Sequence, residues 1–326
     1  MNSMNNNLIP EQSSCPLCKS NDSYILSKEM RRGKGIVYYC KNCQHGFFIN
    51  EGVFDEKTYY AEEYRREYSH NAKEAATNAR EIFDVYKNYQ ENRLEEILPY
   101  LDSSKTLLEV GASSGQFLKH ILHLVKKVDA IELDKDCCHF LQNELNISAD
   151  NNYLRESKFA KNLYDVVCSF QVLEHVADPI NFLKELRKSV ARDGLIFIEV
   201  PNLRDPLLST WGVEEYNKFF FHSAHLHYFT EFSLKRVAIE AGFKEEHIKI
   251  SFTQDYNLLN HLHWIMNHAP QTDCHVGLSK ISLPGENKEL STWLTKKMAE
   301  LNQEYVERLI SIKSTSNMMM TIVNEK

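Results

Sequence analysis

Four cysteines near the start of the chain have the spacing of a metal site. Cys15 and Cys18 form one CxxC pair, and Cys40 and Cys43 form a second. A CxxC turn points two thiolates at one centre, so two such turns complete the tetrahedron that zinc prefers. Four thiolates leave no position open for water, and the predicted zinc is therefore structural rather than catalytic.

The stretch between the two cysteine pairs predicts a small hairpin. YILSKEM and GIVYYC have the composition of short strands, and residues 32–35 (RGKG) have that of a turn. A module of about 40 residues with little apolar core needs a cross-link such as a bound metal ion to fold. The whole segment is therefore interpreted as a zinc ribbon. Two disulfides or a redox-active pair are the alternatives, and His45 is a possible substitute ligand.

A second group of residues predicts a binding site for a small molecule. The run TLLEV (106–110) is typical of a buried strand, and it contains Glu109 and leads into GASSGQ (111–116). Small residues let the backbone pass close beneath a ligand, and the next helix begins with unpaired N–H groups. Glu132 ends the following predicted strand, where an acid can accept hydrogen bonds from both hydroxyls of an adenosine ribose.

The elements that must position these residues alternate between strands and helices. Predicted strands cover 106–110, 128–133, 164–170 and 195–201, and predicted helices cover 116–124, 135–146 and 179–190. This alternation predicts an α/β fold with a parallel sheet covered on both faces. Ligands of such sheets bind beyond the carboxyl ends of the strands, which is where Glu109 and Glu132 are expected.

Four segments resemble, in family order, the motifs of class I S-adenosylmethionine-dependent methyltransferases. They are LLEVGASSGQFL, AIELD, YDVVCSFQVLEHVADP and LRKSVARDGLIFIEVPN, and the likeness runs from about Thr106 to Phe243. It implies a Rossmann-like sheet with helices on both faces, in which 247–252 and 318–323 are the sixth and seventh strands. The seventh would be antiparallel and lie between the fifth and the sixth. A dinucleotide-binding dehydrogenase is the rival interpretation, but GASSGQ lacks the glycine spacing of GxGxxG.

The resemblance also implies which residues bind S-adenosylmethionine. Glu109, Gly111, Gly115 and Gln116 would line the methionine part, Glu132 would hold the ribose, Phe170 and Gln171 would lie beside the sulfonium, and Ala112 and Leu133 would complete the site. Ser113 stands where the family often has glycine, and a small hydroxyl there should crowd the cofactor little.

The ribbon ahead of this domain resembles that of bacterial sugar and polysaccharide methyltransferases, including C-methyltransferases of nucleotide-linked ketosugars. Those enzymes carry a stretch like YHEHFSYF after the fifth strand, and this chain has HSAHLHYF from His222 to Phe229. By that alignment His225 matches the proposed base, while Ala224 replaces the glutamate. AHLHYFTEFSLKRVAIEAGF also resembles a stretch of sugar O-methyltransferases. The expected acceptor is therefore a sugar hydroxyl, with keto-sugar C-methylation as an alternative.

Three histidines are candidates for the base that removes a proton from the acceptor. An imidazole titrates near pH 7 and suits this step, and the candidates are His225, His222 and His175. If HLHYF is extended, alternation would aim His225 and His227 to the same side. A role in packing or helix capping is the competing interpretation.

The charge composition of the chain indicates which classes of binding partner are disfavoured. The 326 residues carry 38 Lys and Arg against 45 Asp and Glu, a net charge of −7, which disfavours a nucleic-acid partner. An RNA methyltransferase that docks through the ribbon and a non-catalytic partner protein remain alternatives. The sequence has no apolar run of about 18 residues and no readable secretory signal, so we expect no membrane insertion and a cytoplasmic location.

The chain is predicted to divide into three parts. Residues 1–53 would form a tail and the zinc ribbon, 54–104 a linker with an N-terminal helix, and 105–326 the methyltransferase domain. Within the last part, 253–313 would be a helical insertion over the active-site face, because 286–310 has apolar residues at helical spacing.

Overall fold

A computed structural model of the protein describes residues 12–31, 35–49 and 78–325. The chain begins with a small antiparallel sheet in the order β1-β2-β3-β9. Its strands are β1 (Ser23–Ser27), β2 (Ile36–Cys40), β3 (Gly46–Ile49) and β9 (His227–Tyr228). The predicted hairpin is thus confirmed as the β1–β2 pair. Residues 32–34 of its predicted turn lie outside the described residues, as do residues 54–77 of the predicted linker segment.

The second sheet has seven strands in the order β10-β11-β8-β7-β4-β5-β6. Its strands are β4 (Thr106–Val110), β5 (Lys127–Ile131), β6 (Ser148–Asp150), β7 (Tyr164–Phe170), β8 (Val190–Pro201), β10 (Ile248–Thr253) and β11 (Asn317–Asn324). Strands β4 to β8 are parallel, and β11 runs antiparallel between β8 and β10. The predicted α/β fold and its reversed final strand are confirmed, and β6, a strand of only three residues, is an addition.

Helices cover both faces of this sheet and one end of it. They are α1 (Ala79–Tyr86), α2 (Glu91–Ile97), α3 (Leu118–Ile121), α4 (Lys135–Asn143), α5 (Pro179–Ser189), α6 (Asn217–Phe220), α7 (Glu231–Glu240), α8 (Leu258–Asn267), α9 (Cys274–Leu278) and α10 (Lys288–Ser311). Helix α5 begins where the sequence predicts, because Asp178 caps it and Pro179 fits its first turn. In the described parts of the chain, every helix is too short or too polar to cross a lipid bilayer.

Two helices differ from the sequence prediction. The N-terminal helix predicted within residues 54–104 is interrupted at 87–90, where the side chain of Gln90 donates to the Tyr86 carbonyl. After this break, Arg93 of α2 donates to Glu199 of β8. The predicted helix at 116–124 is reduced to the single turn α3.

The ribbon and the larger sheet share one core. Strand β3 pairs with β9, a strand that comes from the far part of the chain, and the Thr230 hydroxyl donates to the Gln44 carbonyl. Leu17 and Phe47 of the ribbon belong to the same buried cluster as Val237 of α7. Because apolar contacts and strand pairing cross between them, the ribbon positions the loop that precedes β9.

Candidate functional site

A cleft of about 2030 Å³ lies at the carboxyl ends of the parallel strands. The turns after β4, β5 and β7 form one wall, and α1, α2 and the insertion helices α8 and α9 contribute others. Of the predicted cofactor residues, its walls include Glu109, Gly111, Ala112, Gln116, Glu132, Leu133, Phe170 and Gln171. The topology therefore brings most of the predicted set to one place, as expected for ligands of a parallel sheet.

The turn after β4 requires its glycines. Gly111 has φ +82°, and a Cβ there would lie 2.3 Å from Cγ2 of Val172. Gly115 has φ +79°, and a Cβ there would lie 2.7 Å from side-chain atoms of Leu141 and Leu145. Gly111 thus lets the backbone border the cleft, whereas Gly115 packs the turn against α4 and lies behind the lining.

Glu132 stands at the end of β5 with its carboxylate held by two backbone groups. One oxygen accepts from the Ser113 N–H at 2.6 Å and the other from the Asp134 N–H at 2.8 Å. These bonds join the turn after β4 to the turn after β5. They also fix the carboxylate on the wall of the cleft, where it keeps further lone pairs for a ligand's hydroxyls.

Glu109 is the predicted cofactor residue whose carboxyl group is buried with an unpartnered oxygen. Its side chain is 3% exposed, and Oε2 has no hydrogen-bond partner among the described residues. Burial raises the pKa of this carboxyl to about 8, although Arg93 opposes the shift. A buried carboxylate oxygen without a partner suits a cationic ligand group, so the site fits the ammonium of a methionine moiety.

Arg93 and Glu199 form a buried ion pair that sequence reasoning missed. Nε of Arg93 lies 3.1 Å from both carboxylate oxygens of Glu199, and the guanidinium lies 4.7 Å from the ring centre of Phe170. Gln171 donates to the same carboxylate at 2.9 Å. A glutamate inside the apolar run LIFIEVP was the available signal for Glu199, whereas nothing in the sequence marks Arg93.

Three predicted histidines form a cluster beside Glu174. The ring centres of His222 and His225 are 3.7 Å apart, and those of His175 and His225 are 4.6 Å apart. Nε2 of His175 and Nε2 of His225 each lie 3.9 Å from Oε1 of Glu174. Burial lowers the pKa of His175 to about 4 and the pKa values of His222 and His225 well below the usual range. All three imidazoles are therefore neutral near pH 7.

The expectation that His225 and His227 share a side is wrong. The N–H of His225 donates to the His222 carbonyl, which makes this segment a turn, and only His227 and Tyr228 are extended. His227 instead lies 2.9 Å from His45 of the ribbon, ring nitrogen to ring nitrogen. The His45 ring therefore contacts His227 and is not a member of the four-cysteine cluster.

The four ribbon cysteines converge as predicted. Sγ of Cys15 lies 3.5 Å from Sγ of Cys43, and Sγ of Cys18 lies 3.5 Å from Sγ of Cys40. The four sulfur atoms all lie within 4.8 Å of one another. A disulfide needs about 2.05 Å, whereas a tetrahedron with Zn–S bonds of about 2.3 Å separates its sulfurs by roughly 3.8 Å. The spacing fits a tetrahedral thiolate site rather than two disulfides.

This sheet order, with a glycine turn after β4 and an acid after β5, defines an α/β domain that binds a small ligand at its strand ends. The family of methyltransferase domains matches residues 79–248, more than half of the chain. The chain belongs to this methyltransferase domain family, which confirms the class predicted from the motifs.

Relatives of known name are distant. A Mycobacterium tuberculosis protein named a probable S-adenosylmethionine-dependent methyltransferase is 26% identical over 101 residues, which are 31% of this chain and 37% of that protein. The chain thus spans well under half the length of the curated relatives that it matches.

Solved methyltransferase structures resemble this chain at low sequence identity. A SAM-dependent methyltransferase from Archaeoglobus fulgidus is 18% identical, covering 74% of this chain and 96% of its own, with a TM-score of 0.45. Phosphoethanolamine N-methyltransferase 2 from Haemonchus contortus is 11% identical, covering 86% and 62%, with a TM-score of 0.48. A complex of the Trm112 methyltransferase activator with a methyltransferase from Haloferax volcanii is 11% identical, covering 85% and 100%, with a TM-score of 0.49. All three TM-scores are too low to support a functional conclusion.

Proposed function

We propose that this chain transfers a methyl group from S-adenosylmethionine to a hydroxyl of a small, sugar-like acceptor. The observation that carries the proposal is that two groups border the same cleft: Glu109, a buried carboxyl with one unpartnered oxygen, and His175, the member of the histidine cluster that lies on the cleft wall. S-adenosylmethionine supplies an electrophilic methyl group on a positively charged sulfur. The protein must then align an acceptor oxygen and remove its proton.

The cofactor side of the cleft would bind through the residues predicted from the motifs. Glu132 would accept hydrogen bonds from the ribose hydroxyls, and Glu109 would pair with the amino group. Phe170 and Gln171 would border the sulfonium. The backbone from Gly111 to Gln116, with Ala112 and Leu133, would complete the contact surface, and Gly115 would hold the turn from behind.

The acceptor side would be formed by the insertion and the histidine cluster. Tyr216, Phe219 and Trp264 line the cleft with aromatic faces, which suit the apolar faces of a sugar ring. We propose that His225, with His222 and His175, forms the cluster that deprotonates the acceptor hydroxyl. The imidazoles are neutral near pH 7 and can accept a proton, but their lowered pKa values make them weak bases. The carboxylate of Glu174, 3.9 Å from Nε2 of His175 and of His225, would have to stabilise the imidazolium that forms.

Keto-sugar C-methylation is the second candidate, favoured by one contact. The sequence has Ala224 where the resembling enzymes have a glutamate, but Glu174 brings a carboxylate to 3.9 Å from Nε2 of His225. RNA methylation is less favoured because the net charge is −7 and cleft cations such as Arg155 and Lys218 already pair with carboxylates.

We further propose that the four cysteines hold a structural zinc ion. The ion would fix the ribbon, and through β3 and His45 it would hold β9 and the loop from His222 to His227 in place. The ribbon would then serve the acceptor side without touching the acceptor.

Methyl transfer from radiolabelled S-adenosylmethionine to a panel of free and nucleotide-linked sugars tests the proposal. We expect label in a sugar, and His225→Ala should lower turnover by roughly 10²–10⁴-fold with cofactor affinity nearly unchanged. His222→Ala and His175→Ala identify whether another ring dominates, and NMR of the product separates O-methyl from C-methyl. Transfer to RNA but to no sugar would overturn the proposed acceptor class.

A further inference from the structure

Glu174, His175 and His225 form a compact group of potential metal ligands next to the cleft. One ligand atom from each residue lies within 4.8 Å of the other two. His175 lies on the cleft wall, and the other two lie directly behind it. The group is separate from the four cysteines of the ribbon, which form their own cluster.

The carboxylate of Glu174 lacks the partners that its burial demands. The side chain is 1% exposed, and within the described ranges neither oxygen has a hydrogen-bond partner. Nδ1 of His225 is likewise buried and without a partner there. Buried polar atoms without partners are rare because each one costs desolvation free energy, so the two unpartnered oxygens of Glu174 beside two imidazoles point to a missing ligand.

The imidazole of His175 is oriented as a metal ligand would be. Its Nδ1 lies 2.9 Å from the Ala224 carbonyl oxygen, which can only accept, so Nδ1 carries the proton. That tautomer leaves a lone pair on Nε2, the atom 3.9 Å from Glu174. Ligating histidines ordinarily donate their second nitrogen to a carbonyl or a carboxylate in this way.

The backbone holds the two halves of the group together. The Glu174 carbonyl accepts from the N–H groups of Leu226 and His227 at 2.9 and 3.0 Å. The two imidazoles and the carboxylate therefore come from segments that are tied to each other, and closing the 3.9 Å gaps needs only a side-chain shift. Arg31 also lies near the cluster, and its charge works against a cation, which the ionised Glu174 must offset.

We propose that Glu174, His175 and His225 bind a divalent transition-metal ion, with hydroxyl oxygens of the acceptor as its further ligands. Two imidazoles and one carboxylate suit Mn²⁺, Fe²⁺ or Zn²⁺ better than Mg²⁺, and three protein ligands leave coordination positions open. The inference rests on the proposed function in placing the acceptor at this cluster. A bound cation would lower the pKa of a coordinated hydroxyl, and the released proton would pass to water in the cleft. His175 and His225 would then act as metal ligands in place of a base.

Titration of the zinc-loaded full-length protein with Mn²⁺, followed by calorimetry, tests this inference without acceptor or cofactor. Mn²⁺ is chosen because it does not compete for a thiolate site. We expect one Mn²⁺ per chain, and at least tenfold weaker binding in both Glu174→Gln and His225→Ala. His263→Ala, which changes a histidine outside the cluster, is the matched control and should bind as wild type does.

Absence of Mn²⁺ binding in the wild type, or equal binding in all variants, would overturn the inference. If either cluster variant fails to fold, as judged by its thermal transition, the other variant decides. Sugar methylation that persists in a protein without Mn²⁺ affinity would retain the proposed function and reject the metal site.

Discussion

The cofactor side and the acceptor side of the cleft are built in different ways. On the cofactor side, Glu132 bonds to Ser113 and Asp134, which lie 19 and two positions away in sequence. On the acceptor side, His227 meets His45 across 182 positions, and His175 bonds to Ala224 across 49. The first is made from consecutive strand–turn units, whereas the second is assembled from the ribbon, the turn after β7 and the loop before β9.

This difference suggests separate constraints on the two sides. The cofactor side depends on backbone conformations that a few small residues permit, so any chain with these turns can form it. The acceptor side depends on long-range packing, including a strand pair between β3 and β9. Changes to the ribbon should therefore disturb the acceptor side first, and changes to the turns after β4 and β5 should disturb the cofactor side alone.

The largest effect is expected from loss of the metal proposed for the ribbon. Cys40→Ser, or chelation of the ion, should free β3 and raise amide exchange in residues 222–228 by at least roughly 100-fold, because a structural zinc supplies most of a small module's folding free energy. Cofactor affinity should stay within about threefold of wild type, since no ribbon cysteine borders the cleft. Hydrogen exchange and calorimetry measure the two effects.

Cys138→Ala, which changes a buried cysteine of α4 away from the cluster, is the control for that experiment. Equal loss of cofactor affinity and loop protection in Cys40→Ser would show that the two sides are not independent.

The next largest effect should come from Glu132 on the cofactor side. Glu132→Ala removes the acceptor for the ribose hydroxyls and for two backbone N–H groups, costing about 2–3 kcal/mol, or roughly 30–150-fold in affinity for S-adenosylmethionine. Calorimetry measures the loss, and Glu144→Ala, an exposed acid of the same region, should show none. Unchanged affinity in Glu132→Ala would contradict the assignment of the cofactor site.

A smaller loss is expected from the turn after β4. Gly111→Ala forces an L residue to φ +82° and brings its Cβ against Val172, a strain of about 1–3 kcal/mol that should weaken cofactor binding by roughly 5–150-fold. Gly212→Ala is a matched control, since Gly212 has φ +59° but no atom within 4 Å of an added Cβ. If both variants bind the cofactor equally, the close approach at Gly111 does not matter.

The smallest effect concerns pH. Glu109 has its pKa raised to about 8 by burial, so it is mostly protonated at pH 6 and ionises as the pH approaches 8. A cationic amino group binds the ionised form, hence binding should release a proton and cofactor affinity should rise by up to roughly ninefold from pH 6 to pH 7. Calorimetry at several pH values, in buffers of different ionisation enthalpy, measures both quantities. Glu109→Gln should flatten the dependence, and an equally steep rise in that variant would assign it to another group.

Much of the sheet was predictable because its strands are continuous apolar runs. Thr106–Val110 and Tyr164–Phe170 form the predicted strands, and β11 was visible as MMMTIV because a central strand is buried on both faces. The break between α1 and α2 was not predictable, since neither glycine nor proline marks it. It follows from side-chain bonds of Gln90 and Arg93 that only the folded chain provides.

The sequence by itself determined the four-cysteine ribbon, the parallel sheet and the turns after β4 and β5, because each depends on local spacing and backbone freedom. The tertiary structure alone decided which histidines meet. His227 belongs to the ribbon contact with His45, while His225 joins His175 and the carboxylate of Glu174. A turn at 222–225 and a pairing between distant strands make that choice, and neither has a local sequence signal, since both depend on contacts between segments far apart in the chain.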